Sequence, residues 1–193
     1  MSTYTEVTLP FDVTGEKADL LTLLADQRAL FRVALRNITE EQARTRTTVS
    51  ELTLGGLLKH LAWGERWGAQ ILRERDENAS LDLASLAHAY ELLPEETLDG
   101  WLSEYDFGAD EFDTLIASAD DLDELIPQPT APWAPEREWN SVRTMALNKL
   151  RETAHHCGHA DIIREALDGQ STMAAISEGH SWAEDFDSWT PTS

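Results

Sequence analysis

The segment Arg151-Glu152-Thr153-Ala154-His155-His156-Cys157-Gly158-His159-Ala160-Asp161 concentrates side chains that bind metal ions. On a helix, Glu152 and His156 are i,i+4 and share a face, and His159 lies i+3 from His156 along the same stripe. Met145, Lys149 and Ile163 continue that stripe in both directions. A carboxylate and an imidazole one turn apart are donors that a single helix can offer a divalent cation, with a further donor coming from a facing helix. Three protein ligands leave a position for water, which the metal makes acidic.

His60 is the expected further ligand. It sits inside Leu57-Leu58-Lys59-His60-Leu61, and an imidazole in such an apolar stretch is costly to bury without a partner. Each feature alone has an ordinary explanation. A helical histidine is commonly a hydrogen-bonded boundary residue, and a Glu/His pair is commonly a solvated face. It is their coincidence in one small chain that favours a metal site. Cys157 points roughly 100° away from His156 around the helix, so it reads as a packed thiol. His155 also leaves the stripe and reads as solvent-facing. His88 and His180 have no ligand-spaced neighbour.

Four amphipathic helices must position these groups. The first spans about residues 16–37, with Leu20, Leu21, Leu24, Leu30, Phe31 and Val33 at three- and four-residue spacing. Thr39-Glu40-Glu41-Gln42 reads as the cap and first turn of a short connecting piece. The second helix spans about 54–74, capped by Thr53. Its Gly55 and Gly56 each cost about 1 kcal/mol of propensity relative to Ala, which points to a close approach of another backbone. The third spans about 95–119, dented at Gly108. A proline-rich connection with Trp133 and Trp139 follows; loops this long are often functional. Ser141 caps the fourth helix, about 142–167, which stops at Gly169. No alternating strand pattern stands out. The expected fold is all-α, a four-helix bundle with open winding order. The whole chain, 1–193, reads as one domain, with 170–193 a tail that either packs on the bundle or stays mobile.

Composition narrows the function classes. The chain has 15 basic against 36 acidic residues, a net charge of −21, and no Lys/Arg run. That argues against nucleic acid and anionic membranes as partners. No stretch approaches the roughly 20 apolar residues of a membrane span. The N-terminal MSTYTEVTLPFDV shows neither a basic leader nor an apolar core, and the single cysteine suits a reducing compartment. A cytoplasmic protein is expected.

Two segments resemble the DinB/YfiT-like superfamily, in particular its actinobacterial mycothiol-dependent branch, which includes maleylpyruvate isomerase and mycothiol S-transferase-like proteins. One is Leu54-Gly55-Gly56-Leu57-Leu58-Lys59-His60-Leu61-Ala62-Trp63-Gly64-Glu65-Arg66-Trp67. The other runs from His155 through His159-Ala160-Asp161-Ile162-Ile163-Arg164-Glu165 to Asp168-Gly169 and is the more specific. The resemblance implies a four-helix bundle of the DinB/YfiT-like type with long crossover connections. It implies a divalent metal, zinc or nickel, held by His60, Glu152 and His156, a His/Glu/His variant of the family pattern. His159 becomes a residue supporting that set from behind, or an alternative ligand.

The function this suggests is a metal-dependent transferase or isomerase. It would use a low-molecular-weight thiol such as mycothiol and an electrophilic substrate. Asp161 and Arg164 are candidates to orient a ligand, or else an ordinary ion pair on the helix surface. Trp63 and Trp67, at i,i+4, either wall a pocket or pack between helices. The alternative is a non-catalytic, stress-associated metal-binding bundle, and a homodimer fits either reading.

Overall fold

The computed structural model describes residues 3–178. Helices α1 (Glu16–Ala34), α3 (Leu54–Glu74), α4 (Leu98–Ser118) and α5 (Val142–Asp168) form the all-α bundle, joined by short α2 (Glu40–Arg44) and followed by α6 (Thr172–Ser177). α3 packs chiefly on α4, and α1 chiefly on α5. None of the described helices is long and apolar enough to cross a membrane.

Local chemistry explains the ends of the elements. The hydroxyls of Thr53, Thr97 and Ser141 accept the amides of Gly56, Gly100 and Thr144, satisfying first-turn donors of α3, α4 and α5. Thr39 and Gln42 form a capping box on α2. Gly169, at φ 81°, closes α5 in the left-handed conformation expected of a terminal glycine. α1 ends earlier than its apolar pattern suggests, because Leu35 caps it and Asn37 turns left-handed at φ 59°. α4 begins at Leu98, three residues later than the sequence suggests, because Thr97 serves as its cap.

Two glycine expectations resolve differently. A Cβ on Gly56 would lie 2.0 Å from the Tyr90 carbonyl oxygen, and one on Gly55 would lie 2.9 Å from that of Ala43. These glycines admit the close backbone approach expected of them. Gly108 does not dent α4, which is continuous. Its bare Cα instead lets α3 cross closely, since a Cβ there would meet the Arg66 amide nitrogen and the Glu65 Cβ at 2.9 Å.

The proline-rich connection contains a feature absent from the sequence reading. β1 (Leu125–Pro127) and β2 (Trp139–Ser141) pair antiparallel, with Leu125 opposite Ser141 and Pro127 opposite Trp139. Strands of three residues are too short to display alternation. The pairing leads straight into α5, whose Val142 and Arg143 amides donate to the Glu124 and Leu122 carbonyls at 3.0 and 2.9 Å. At the start of the expected tail, α6 contacts α1. His180, Trp182, Phe186 and Trp189 lie outside the described residues.

The core has two apolar clusters. One gathers Phe31, Leu57, Leu58, Tyr105 and Ile163; the other gathers Leu21, Leu24, Leu72, Phe112, Ile116 and Met145. Along α1 and α3, the switch from one to the other falls at Arg28 and Glu65. Glu65 is fully buried and Arg28 nearly so. Arg28 Nε and Nη2 donate to the two Glu65 carboxylate oxygens at 2.8 and 2.9 Å, and its Nη1 donates to Asp113 at 2.8 Å. One guanidinium therefore ties α1, α3 and α4. Burial alone would depress the Arg28 pKa, but the Glu65 and Asp113 charges hold it above its ordinary value.

Candidate metal centre

α3 presents His60, and α5 presents Glu152 and His156. One donor atom from each lies within 4.8 Å of the other two. Glu152 and His156 owe their alignment to the i,i+4 spacing of a continuous helix. His60 and His156 meet edge-to-face across the α3–α5 contact, their ring centroids 4.9 Å apart.

The donors are in the state that a cation requires. Glu152 Oε2 and His156 Nε2 are 3.8 Å apart, too far for a hydrogen bond. His60 Nδ1 is buried and has no hydrogen-bond partner among the described residues. Burial, reinforced by the neighbouring His156, pushes the His60 pKa down to about 4. Burial and the nearby His159 also lower that of His156. Both rings are therefore neutral at pH 7, with lone pairs to offer. Two imidazoles and a carboxylate suit a borderline divalent ion such as zinc or nickel. The orphaned His60 nitrogen and the three converging donors fit such an ion.

Two further residues set the orientation of the imidazoles. His159 Nδ1 lies 3.2 Å from His156 Nδ1, so one of the pair donates to the other. With Nε2 facing Glu152, His156 is positioned to carry its proton on Nδ1 and donate to His159. Tyr90, from the α3–α4 connection, stacks on His60 at 4.1 Å and 15°, with its hydroxyl 3.1 Å from Nε2. A near-parallel stack places that hydroxyl over the ring face rather than along the in-plane lone pair. The sequence reading missed Tyr90. The only hint was the glycine pair in α3, which marks where the Tyr90 backbone docks.

Asp161 and Arg164 are not brought to the triad, and they do not pair with each other. Asp161 Oδ1 accepts from the Thr172 amide at 2.8 Å and from its hydroxyl, anchoring α6. Arg164 is buried. It pairs with Asp168 at 2.9 Å and donates to the carbonyls of Ala34 and Arg36 at 2.9 and 2.8 Å. Cys157 donates from Sγ to the Gln27 carbonyl at 3.3 Å, and burial pushes its pKa up to about 12. It is a packed thiol and not a nucleophile. His155 is exposed, and His88 pairs with Glu91 at 2.8 Å.

Beside the triad lies a cavity of about 250 Å³, lined by His60 and Glu152 together with Trp63, Trp67, Gln128, Asn140, Asn148 and Lys149. Trp63 and Trp67 stack on each other at 5.5 Å and 15°, and both face this space. The arrangement is a converging donor set opening on a small, largely apolar pocket.

A family model described as Mycothiol-S-transferase matches residues 19–169, a span that includes the triad and nearly all of the four bundle helices. No curated protein matches the chain.

Proposed function

The chain belongs to the mycothiol-S-transferase family, and on that premise we propose that it is a metal- and thiol-dependent S-transferase or isomerase. Its metal centre is His60, Glu152 and His156. The convergence of these three donors on one point beside a cavity is the observation that carries the reading. These three residues would hold a divalent cation, zinc or nickel, which would supply the positive charge that favours the thiolate form of a low-molecular-weight thiol such as mycothiol.

The chain's own residues do the remaining work. Neutral His60 and His156 offer lone pairs, and Glu152 offers negative charge. His159 fixes the ring orientation and tautomer of His156, while the Tyr90 ring holds His60 from its face. The Trp63–Trp67 wall shapes a mostly apolar space in which an electrophile is held against the thiol. Cys157 takes no part, because its proton is held tightly and its sulfur is engaged with Gln27. The nucleophile is therefore the bound thiol and not the protein's cysteine.

The test is a thiol-consumption assay with an electrophilic acceptor, run before and after chelation and with His156→Ala. Chelation and the substitution should each abolish turnover, and re-adding metal should restore only the wild type. Turnover indifferent to both would rule the mechanism out. A chain that binds metal but consumes no thiol would leave only a non-catalytic metal-binding bundle.

A further inference from the structure

Half-buried Lys149 differs from the buried cations of the bundle. Arg28 is neutralised by Glu65 and Asp113, Lys59 by Glu96, and Arg164 by Asp168. Among the described residues, the Lys149 ammonium enters no hydrogen bond or ion pair, and its contact is the Phe112 ring face at 5.7 Å. A cation–π contact offsets only part of the cost of drawing an ammonium partly out of water. No nearby carboxylate is free to complete the neutralisation. Glu65 is held on both oxygens by Arg28, and Glu152 belongs to the donor triad.

The fold makes room for this side chain. Along α3, Gly64 and Gly68 follow His60 at successive i+4 steps. A Cβ on Gly64 would meet Lys149 Nζ at 3.3 Å, and one on Gly68 would meet its Cε at 3.6 Å. The two glycines leave a track along which the lysine stem runs into the cavity beside His60 and Glu152. No other lysine or arginine lines that cavity. Asn140 and Asn148 also line it, and their side-chain amides make no hydrogen bond among the described residues. Burial lowers the Lys149 pKa, while the Glu65 and Glu152 charges counter that fall.

We propose that the cavity binds the electrophilic co-substrate through a carboxylate, with the Lys149 ammonium as its counter-ion and the Trp63–Trp67 wall taking its apolar part. Calling that ligand a co-substrate rests on the transferase reading; the anion site does not. Lys149 is on this account the residue that selects anionic over neutral electrophiles.

Benzoate and its neutral isostere benzamide are suitable probes, titrated into the protein as purified, without thiol, by calorimetry. Wild type should bind benzoate at least about tenfold more tightly than benzamide, as a charge-assisted contact implies. Lys149→Met should erase that preference while benzamide binding persists, and Lys149→Arg should keep it. Equal benzoate affinity in wild type and Lys149→Met, or no preference in wild type, overturns the proposal. If Lys149→Met also loses benzamide, Lys149→Arg decides: a retained preference supports the site and an absent one removes it. Because no thiol is present, this result is independent of the thiol-consumption assay. A Lys149-dependent preference in a protein that consumes no thiol still supports the anion site.

Discussion

His60 and His156 carry the proposed chemistry, and their removal from solvent has a measurable consequence. The folded His60 pKa, about 4, lies below the ordinary 6.5. Between those values the unfolded chain binds more protons than the folded one, so stability rises with pH across the window and levels off above it. Urea midpoints of the metal-free protein should therefore fall as pH drops from about 6.5 toward 4. His60→Gln should flatten that slope, and an unchanged slope would refute the buried neutral imidazole. His159→Ala should weaken metal affinity about 10- to 100-fold by releasing the His156 ring, as read by competition with a chromophoric chelator. Affinity equal to wild type would leave His159 without that role. Much of this site was legible in the sequence, because i,i+4 and i,i+3 spacing on one long helix is a local property. His60 was readable only as a polar residue stranded among leucines. Tyr90 was not readable, because its place over His60 depends on how the α3–α4 connection folds back.

At the scale of elements, the positions of α3 and its neighbours depend on two devices. One is the bare glycine face. Gly56→Ala would drive a methyl into the Tyr90 carbonyl. It should cost about 1–3 kcal/mol, the range for overpacking a tight contact, and displace Tyr90 from His60. Thermal or urea unfolding measures the cost, and a neutral effect would mean that the loop does not press on α3. The other device is the buried Arg28–Glu65–Asp113 cluster. Glu65→Ala should destabilise by about 3–5 kcal/mol, since it removes the two-oxygen partner of a buried guanidinium and leaves it Asp113 alone. The helices themselves were plain from periodicity, caps and the Gly169 stop. The buried cluster was not, because a charged residue within an amphipathic pattern reads as surface until its partners on other helices are known. The β1–β2 pair escaped for a different reason: its strands are held by long-range pairing and carry no pattern of their own.

At the scale of the whole molecule, the bundle brings α3 and α5 together so that donors about 90 residues apart in sequence meet within 4.8 Å. On the proposed reading, a cation bound there would join two helices and stabilise the folded state by mass action. The melting temperature should rise with added zinc or nickel in wild type and stay flat in Glu152→Ala. The central claim is tested most directly by elemental analysis of the protein purified after metal-supplemented expression. Wild type should carry about one equivalent of divalent metal per chain, and His60→Ala and His156→Ala should each lose it. Less than about a tenth of an equivalent in wild type, or full occupancy in those variants, would contradict a metal centre at His60, Glu152 and His156.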